Sequence, residues 1–367
     1  MTTTDKQRYL AVDVMRGLTL IGMIIVNDPG SWDHVFPALL HAEWNGLTPT
    51  DYVYPFFLFI VGVSIALAYQ PKIEKGEEKK EMVSKIFVRA LKIFGMGIFL
   101  WLFPTFDFND IRWAGVLQRI ALVFLPCALL FLYTDKKFQI RFAAFLLVGY
   151  WILMAYIPVP GIGFPDLSVP EKNWAHYIDS ILLPGKMWQK TWDPEGILST
   201  FPAIVTGIFG LIAGHIILHQ REIKQKLLSL FFMGFILIAL GDFWQWFFPV
   251  NKNIWSSSYT CLMGGFATLS LAALIYVIDL KGNDKWIFTA RVFGTNAITA
   301  YVLSGILTVI FYNDAFIATG LNGQFMSLGT SIGLPLELSS FLYALIYVAI
   351  IFIPLYYLYK NRIFIKL

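Results

Sequence analysis

The chain has 367 residues, 57% of them hydrophobic and only 14% charged, with 33 Phe, 17 Tyr and 12 Trp. A soluble domain carries about 25% charged residues. This composition, with a mean hydropathy of +0.64, excludes an ordinary soluble protein and points to a polytopic membrane protein. The formal net charge of +4 says little by itself, and no nucleic-acid-binding motif stands out. What matters is where the basic residues lie.

Ten apolar segments reach the roughly 20 residues that a helix needs to cross a hydrocarbon core of about 30 Å. Their approximate spans are 9–27, 52–70, 86–103, 114–133, 138–157, 198–219, 227–248, 259–279, 292–312 and 338–359. The third and ninth give the weakest signals. The expected fold is all-α, a bundle of about ten transmembrane helices forming a single domain over 1–367. The stretch before the first segment is short and polar, and no small-residue cleavage site follows it, so the first helix is expected to stay in the mature protein. Glycines at 207, 210 and 214 permit close helix contact. Cys127 and Cys261 fall inside apolar segments and read as small packing residues.

The basic residues alternate between links. The second link holds Lys72, Lys75, Lys79, Lys80, Lys85, Arg89 and Lys92. Lys136, Lys137 and Arg141 follow, then Arg221, Lys224 and Lys226, then Lys281, Lys285 and Arg291. Lys6 and Arg8 precede the first helix; Lys360, Arg362 and Lys366 end the chain. The intervening links are poor in Lys and Arg for their length. By the positive-inside rule both termini are cytoplasmic. The loop between the first two helices then faces a periplasm or an organelle lumen. The longest outward link, about 158–197, has the size and composition of a lid or binding wall.

That first outward loop carries His41, Glu43, Asn45 and Asp51. An imidazole titrates near neutrality, so His41 can take a proton from an amine or hydroxyl, or accept an acyl group. Asp51 or Glu43 would orient its second nitrogen; a hydrated loop histidine is the alternative. Asn27 closes the first helix, either as a cap or as a donor to a substrate. Asp13 and Arg16, three apart in that helix, read as an ion pair facing the protein interior. In RWAGVLQRIAL, Arg119 enters the fourth helix beside Gln118, and an arginine at that depth requires a carboxylate or an anionic ligand as partner. Asp193 and Glu195 read as N-terminal helix caps. His215 and His219 have metal-ligand spacing but no third ligand nearby in sequence. NKNIWSSSY and FGTNAITAY complete the polar motifs.

Six of these blocks resemble, in order, the transmembrane acetyltransferases typified by heparan-alpha-glucosaminide N-acetyltransferase, including bacterial relatives some of which are named as N-acetylglucosamine-linked permeases. They are VDVMRGLTLIGMIIVN, HAEWNGLTPTDYVYPFFLFIVGVSI, GVLQRIAL, DPEGILSTFPAI, WSSSY and GTNAITAYV, spread from about residue 8 to 305. The resemblance implies that His41 is the active-site histidine, with Asn27 and Asp51 beside it as catalytic residues. It places the LQR motif on Gln118 and Arg119, as residues that bind substrate or cofactor. It implies acetyl-CoA as co-substrate, no metal, an amino sugar or glycan end as acceptor, and a homodimer as one possible assembly. The chain lacks the long luminal extension of the lysosomal enzyme, which implies a bacterial inner membrane. An activated thioester needs a base for the incoming ammonium and a donor for its oxygen, roles that suit His41 and Asn27. Two other readings stay open: a permease for N-acetylglucosamine-like sugars, and an O-acyltransferase acting on a polysaccharide hydroxyl.

Overall fold

A computed structural model describes residues 9–220, 222–312 and 320–365. Lys6, Arg8, Arg221 and Lys366 of the charge pattern lie outside the described residues, as does the first part of the 313–337 link. Among the described residues there are thirteen α-helices and no strand: α1 (Leu10–Asn27), α2 (Val53–Glu74), α3 (Lys79–Leu102), α4 (Val116–Tyr133), α5 (Lys136–Tyr156), α6 (Trp174–Leu182), α7 (Thr200–His219), α8 (Ile223–Trp244), α9 (Ser257–Leu274), α10 (Phe288–Thr295), α11 (Ala297–Tyr312), α12 (Gly320–Ser331) and α13 (Leu336–Lys360). The chain is an integral membrane protein. Eight helices are long and apolar enough to cross a bilayer: α1, α2, α4, α5, α7, α8, α9 and α13.

The two weakest expected spans differ from the other eight. α3 is 24 residues long, but Lys79, Lys80, Lys85, Arg89 and Lys92 lie along it from its start to just past its middle. Only 93–102 is uninterrupted apolar sequence. Most of what reads as a basic link is therefore helix, and the turn between α2 and α3 is only 75–78. The expected span 292–312 is broken: α10 and α11 meet at an angle of 86°. Asn296, at the break, is 1% exposed. Its amide donates to Ile363 O at 3.0 Å and its carbonyl accepts from Ile365 N at 3.0 Å. The 313–337 link is not only loop either, since α12 lies within it and packs against α11 and α13.

α7 is the axis of the bundle. Its apolar window is 78% buried, against 28% for α5 and for α8, so the latter two are the lipid-facing periphery. Close approach explains the central packing. A side chain at Gly62 would collide with the Gly207 carbonyl, and one at Gly210 with that of Phe59. In lipid, where burying apolar surface brings little gain, such contacts supply the association. Asp13 and Arg16 pair at 3.2 Å inside the bundle, and Arg16 also reaches Ser64 Oγ at 2.7 Å and Gly294 O at 3.1 Å. Cys127 and Cys261 are free and buried.

The helices alternate so that loops 28–52, 103–115, 157–199 and 245–256 meet at one end. Trp44 Nε1 donates to Leu167 O at 2.8 Å, Asn251 Nδ2 to Asn45 Oδ1 at 3.0 Å, and Arg112 binds Asp193. The short basic turns lie at the other end.

Candidate functional site

Asp51 is the best-fixed group at the loop end. It lies in a short 3₁₀ turn, Pro49–Tyr52, that leads into α2. The residue is fully buried, and its two carboxylate oxygens have separate partners. Oδ2 accepts from Thr48 N at 2.9 Å, Thr48 Oγ1 at 3.0 Å and Ala42 N at 3.2 Å. Oδ1 is 2.7 Å from His41 Nδ1. Its backbone carbonyl accepts from the buried Tyr259 hydroxyl at 2.6 Å. A carboxylate so placed holds the Nδ1–H tautomer and makes the Nε2 lone pair the acceptor of the ring. The His41 side chain is 47% exposed, so a substrate can reach it. Glu43, the other carboxylate considered for this orienting role, engages only through its carbonyl, with Asn253 Nδ2 at 3.5 Å.

Lys252 completes the group. Its ammonium lies 3.0 Å from each ring nitrogen of His41 and 3.8 Å from Asp51 Oδ1. With the Nδ1 proton committed to Asp51, only Nε2 can accept from Lys252. Burial pushes the Lys252 ammonium below its ordinary value, and Asp51 and Glu195 only partly offset this. The loop that presents it is stitched down. Buried Asn251 accepts from Ile254 N at 3.1 Å and takes Ser256 Oγ on its own N–H at 3.0 Å, while Gly46 N donates to Val250 O at 2.8 Å. Buried Trp255 adopts φ 52, a left-handed backbone unusual for a bulky residue.

Behind this group lies an ionic cluster. Arg112 Nε and Nη2 form a fork on Asp193 at 2.7 and 2.6 Å, and Nη2 also reaches Glu195 at 2.7 Å. Burial would raise the Asp193 carboxyl, but the Arg112 fork and two backbone N–H groups outweigh it and hold the carboxyl below its usual range. Asp193 and Glu195 are thus not helix caps as the sequence suggested; α7 begins only at Thr200, and arginine claims both carboxylates. Arg119 is fully buried, and of the two partners the sequence called for, a carboxylate or an anionic ligand, no carboxylate contacts it among the described residues. Nη2 donates to Gly196 O at 3.1 Å and to Ser199 Oγ, and the guanidinium stacks over Trp255 at 5.3 Å. Its Nε and Nη1 have no partner among the described residues. Carbonyl, hydroxyl and indole solvate this charge in place of a counter-ion.

Asn27 and Gln118 come together elsewhere. Both line a cavity of about 240 Å³ at the same end of the bundle, with Asp28, Arg112, Tyr301, Ser304 and Thr308. Arg112 belongs to both the cavity and the ionic cluster. The structure therefore pairs His41 with Asp51, and Asn27 with Gln118, while Arg119 is packed behind them. Sequence reasoning missed Lys252, Arg112 and Asp28 as site residues. Lys252 had a usable signal: it is the single charge in 245–256. For Arg112 and Asp28 the deciding fact is three-dimensional. His215 and His219 are neighbours with tilted rings 5.6 Å apart, and His219 Nδ1 lies 3.0 Å from His215 O. Among the described residues no three His, Cys, Asp or Glu side chains converge as for a metal.

Fold and site define a class: a helical integral membrane protein with a carboxylate-oriented histidine where its loops converge. Residues 8–242 match the family described as heparan-alpha-glucosaminide N-acetyltransferase, catalytic, and the chain belongs to that family. It is 31% identical to the human heparan-alpha-glucosaminide N-acetyltransferase, over 80% of this chain and 52% of the human protein. With the mouse protein of that name it shares 29% identity, over 82% of this chain and 53% of the mouse protein. The chain spans about half the length of the curated relatives it matches.

Proposed function

We propose that this protein moves an acetyl group from cytoplasmic acetyl-CoA to the amine of a glucosamine-type sugar on the opposite face, in a bacterial inner membrane. The observation that carries this reading is the 2.7 Å contact between His41 Nδ1 and Asp51 Oδ1. It leaves Nε2 as a positioned base in a chain whose named relatives are N-acetyltransferases. The basic turns at the far end of the bundle suit the phosphates of CoA.

In the reaction, the amine nitrogen attacks the thioester carbonyl while His41 Nε2 takes its proton. The C–N bond forms, the C–S bond breaks, and CoA leaves as a thiolate that a proton then neutralises. Asp51 stabilises the imidazolium as it forms. The Asn27 amide donates to the developing oxyanion, Gln118 contacts the substrate beside it, and Arg119 holds the cofactor. The test uses purified protein with acetyl-CoA and glucosamine. CoA release that depends on the sugar is expected, and its absence overturns the proposal.

A permease for N-acetylglucosamine-like sugars is favoured by one observation, the break between α10 and α11, because discontinuous helices often mark transport sites. Yet Asn296 at that break is engaged by Ile363 and Ile365. Sugar uptake into vesicles without acetyl-CoA would support the permease.

A further inference from the structure

Asp28 has no part in the mechanism above, and its surroundings are unusual. It follows the last residue of α1, with its backbone N–H returned to Ile24 O at 3.0 Å. The residue is 7% exposed. Among the described residues no hydrogen bond and no charge offsets the burial of its carboxyl, which burial pushes up to about 8. Asp28 lines the cavity that Asn27 and Gln118 also line. The one cation on that wall, Arg112, is committed to Asp193 and Glu195. The titratable groups facing Asp28 from other elements are Tyr301 and Tyr312 on α11 and Tyr343 and Tyr347 on α13. All are neutral donors. The carboxyl therefore has no cation of its own among the described residues, and an incoming one could take the place of its proton.

The lining says which cation fits. Two amides, from Asn27 and Gln118, and three hydroxyls, from Tyr301, Ser304 and Thr308, accompany the single free carboxyl. A hard metal ion takes about six or more oxygen ligands with several carboxylates or waters, which this wall does not offer. An ammonium needs only a few acceptors, and amides and hydroxyls suit a neighbouring polyol. A volume of about 240 Å³ falls below the roughly 300–1,000 Å³ of drug-sized sites, so it suits one sugar ring rather than a nucleotide.

We propose that this cavity is the acceptor subsite and that Asp28 binds the ammonium of an amino sugar there, selecting it over the hydroxyl and N-acetyl counterparts. Calling the occupant an acceptor rests on the transferase reading; binding of the amine by Asp28 does not.

The experiment measures binding of methyl glucosaminide, methyl glucoside and methyl N-acetylglucosaminide by calorimetry, without acetyl-CoA. Wild type is expected to favour the glucosaminide by about tenfold or more, the scale of a hydrogen bond to a charged group. Asp28→Asn is expected to abolish that preference while keeping weak binding of all three. A second measurement needs no variant. Below the titration of both Asp28 and the sugar amine, Asp28 is protonated and the sugar is a cation, so forming the pair expels a proton. Repeating the wild-type titration in buffers of different ionisation heat should show nearly one proton released per sugar bound. An unchanged preference in Asp28→Asn, or no proton release, overturns the proposal. Asp28-dependent binding without acetyl transfer would leave it standing and remove the transferase reading; transfer indifferent to Asp28→Asn would do the reverse.

Discussion

The Lys252 ammonium sits 3.0 Å from both nitrogens of the His41 ring while also lying 3.8 Å from the Asp51 carboxylate. An ammonium in that position donates to Nε2, the ring nitrogen left without a proton once Nδ1–H is committed to Asp51. It also pays for its own burial only in part, since desolvation outweighs the pull of Asp51 and Glu195.

Lys252→Met should therefore separate activity from stability. Turnover is expected to fall about ten- to a hundredfold, less than for loss of the base itself. The melting temperature should hold or rise. A lysine whose value lies below 10.5 when folded binds protons less well in the native state, so its charge costs stability at neutral pH. That advantage of the methionine variant should shrink as pH rises toward 10.5. Melting curves across that range, beside an acetyl-transfer assay, check both; a collapse in stability with normal turnover would contradict the assignment.

His41 and Asp51 should behave differently when removed. His41 is half exposed, so His41→Ala should fold normally and lose about a hundred- to ten-thousandfold in turnover. Asp51→Ala leaves Thr48 N and Ala42 N without their shared acceptor, while Thr48 Oγ1 keeps Leu40 O at 2.6 Å; each unsatisfied part-buried N–H costs up to about 1–3 kcal/mol. Asp51→Ala is expected to lower melting temperature and yield as well as activity. Near-normal turnover in folded His41→Ala protein would remove His41 from the mechanism.

Arg119 tests a different idea. Its guanidinium is fully buried with Nε and Nη1 unpartnered, so replacing it by a long apolar side chain relieves desolvation. Arg119→Met should be as stable as wild type, or more so by about 1 kcal/mol, while binding acetyl-CoA more weakly. Calorimetric titration with acetyl-CoA decides; unchanged affinity would make the residue purely structural.

Asp179 supplies a pH dependence of known sign. It is 2% exposed and holds the 193–197 segment through Ile197 N at 2.9 Å and Asp193 N at 3.4 Å. Burial raises its carboxyl from 3.8 to about 6 despite those bonds. The folded state thus binds the proton more tightly than the unfolded one, and the associated stability is present below 3.8 and lost as pH rises to about 6. Across that window, wild type should lose melting temperature relative to Asp179→Asn. A difference that stays flat with pH would contradict this.

The sequence made the scaffold readable because apolar length and basic alternation are local signals. Eight of ten spans follow from them. The other two were obscured by the same physics: basic residues run up α3 as far as Lys92, and Asn296 breaks a stretch whose composition alone looks continuous. At the site, the ten-residue spacing of His41 and Asp51 within one loop made their pairing legible. The Arg112 fork spans more than eighty positions and leaves no pattern in either segment. Asp28 is invisible for another reason. Beside Asn27 it reads as an ordinary polar helix end, and only the cavity wall built by α3, α4 and α11 shows that its carboxyl is enclosed.

The orientation of the bundle rests on charge, and it can be measured directly. The turn 75–78 and the His41 loop lie at opposite ends of α2, so their sides must differ if α2 crosses the bilayer. Lys75 and Glu43 are both exposed, and the Glu43 side chain makes no hydrogen bond within the described residues. Both native cysteines are buried, which keeps background labelling low. Lys75→Cys should react with a membrane-impermeant maleimide only after the cytoplasmic face is opened, and Glu43→Cys should react in intact cells. This outcome would place the basic turns with the cytoplasmic supply of acetyl-CoA and His41 with the acceptor. Labelling of both cysteines from one side would contradict the crossing of α2 itself, whereas exchanged sides would keep the fold and reverse the direction of transfer.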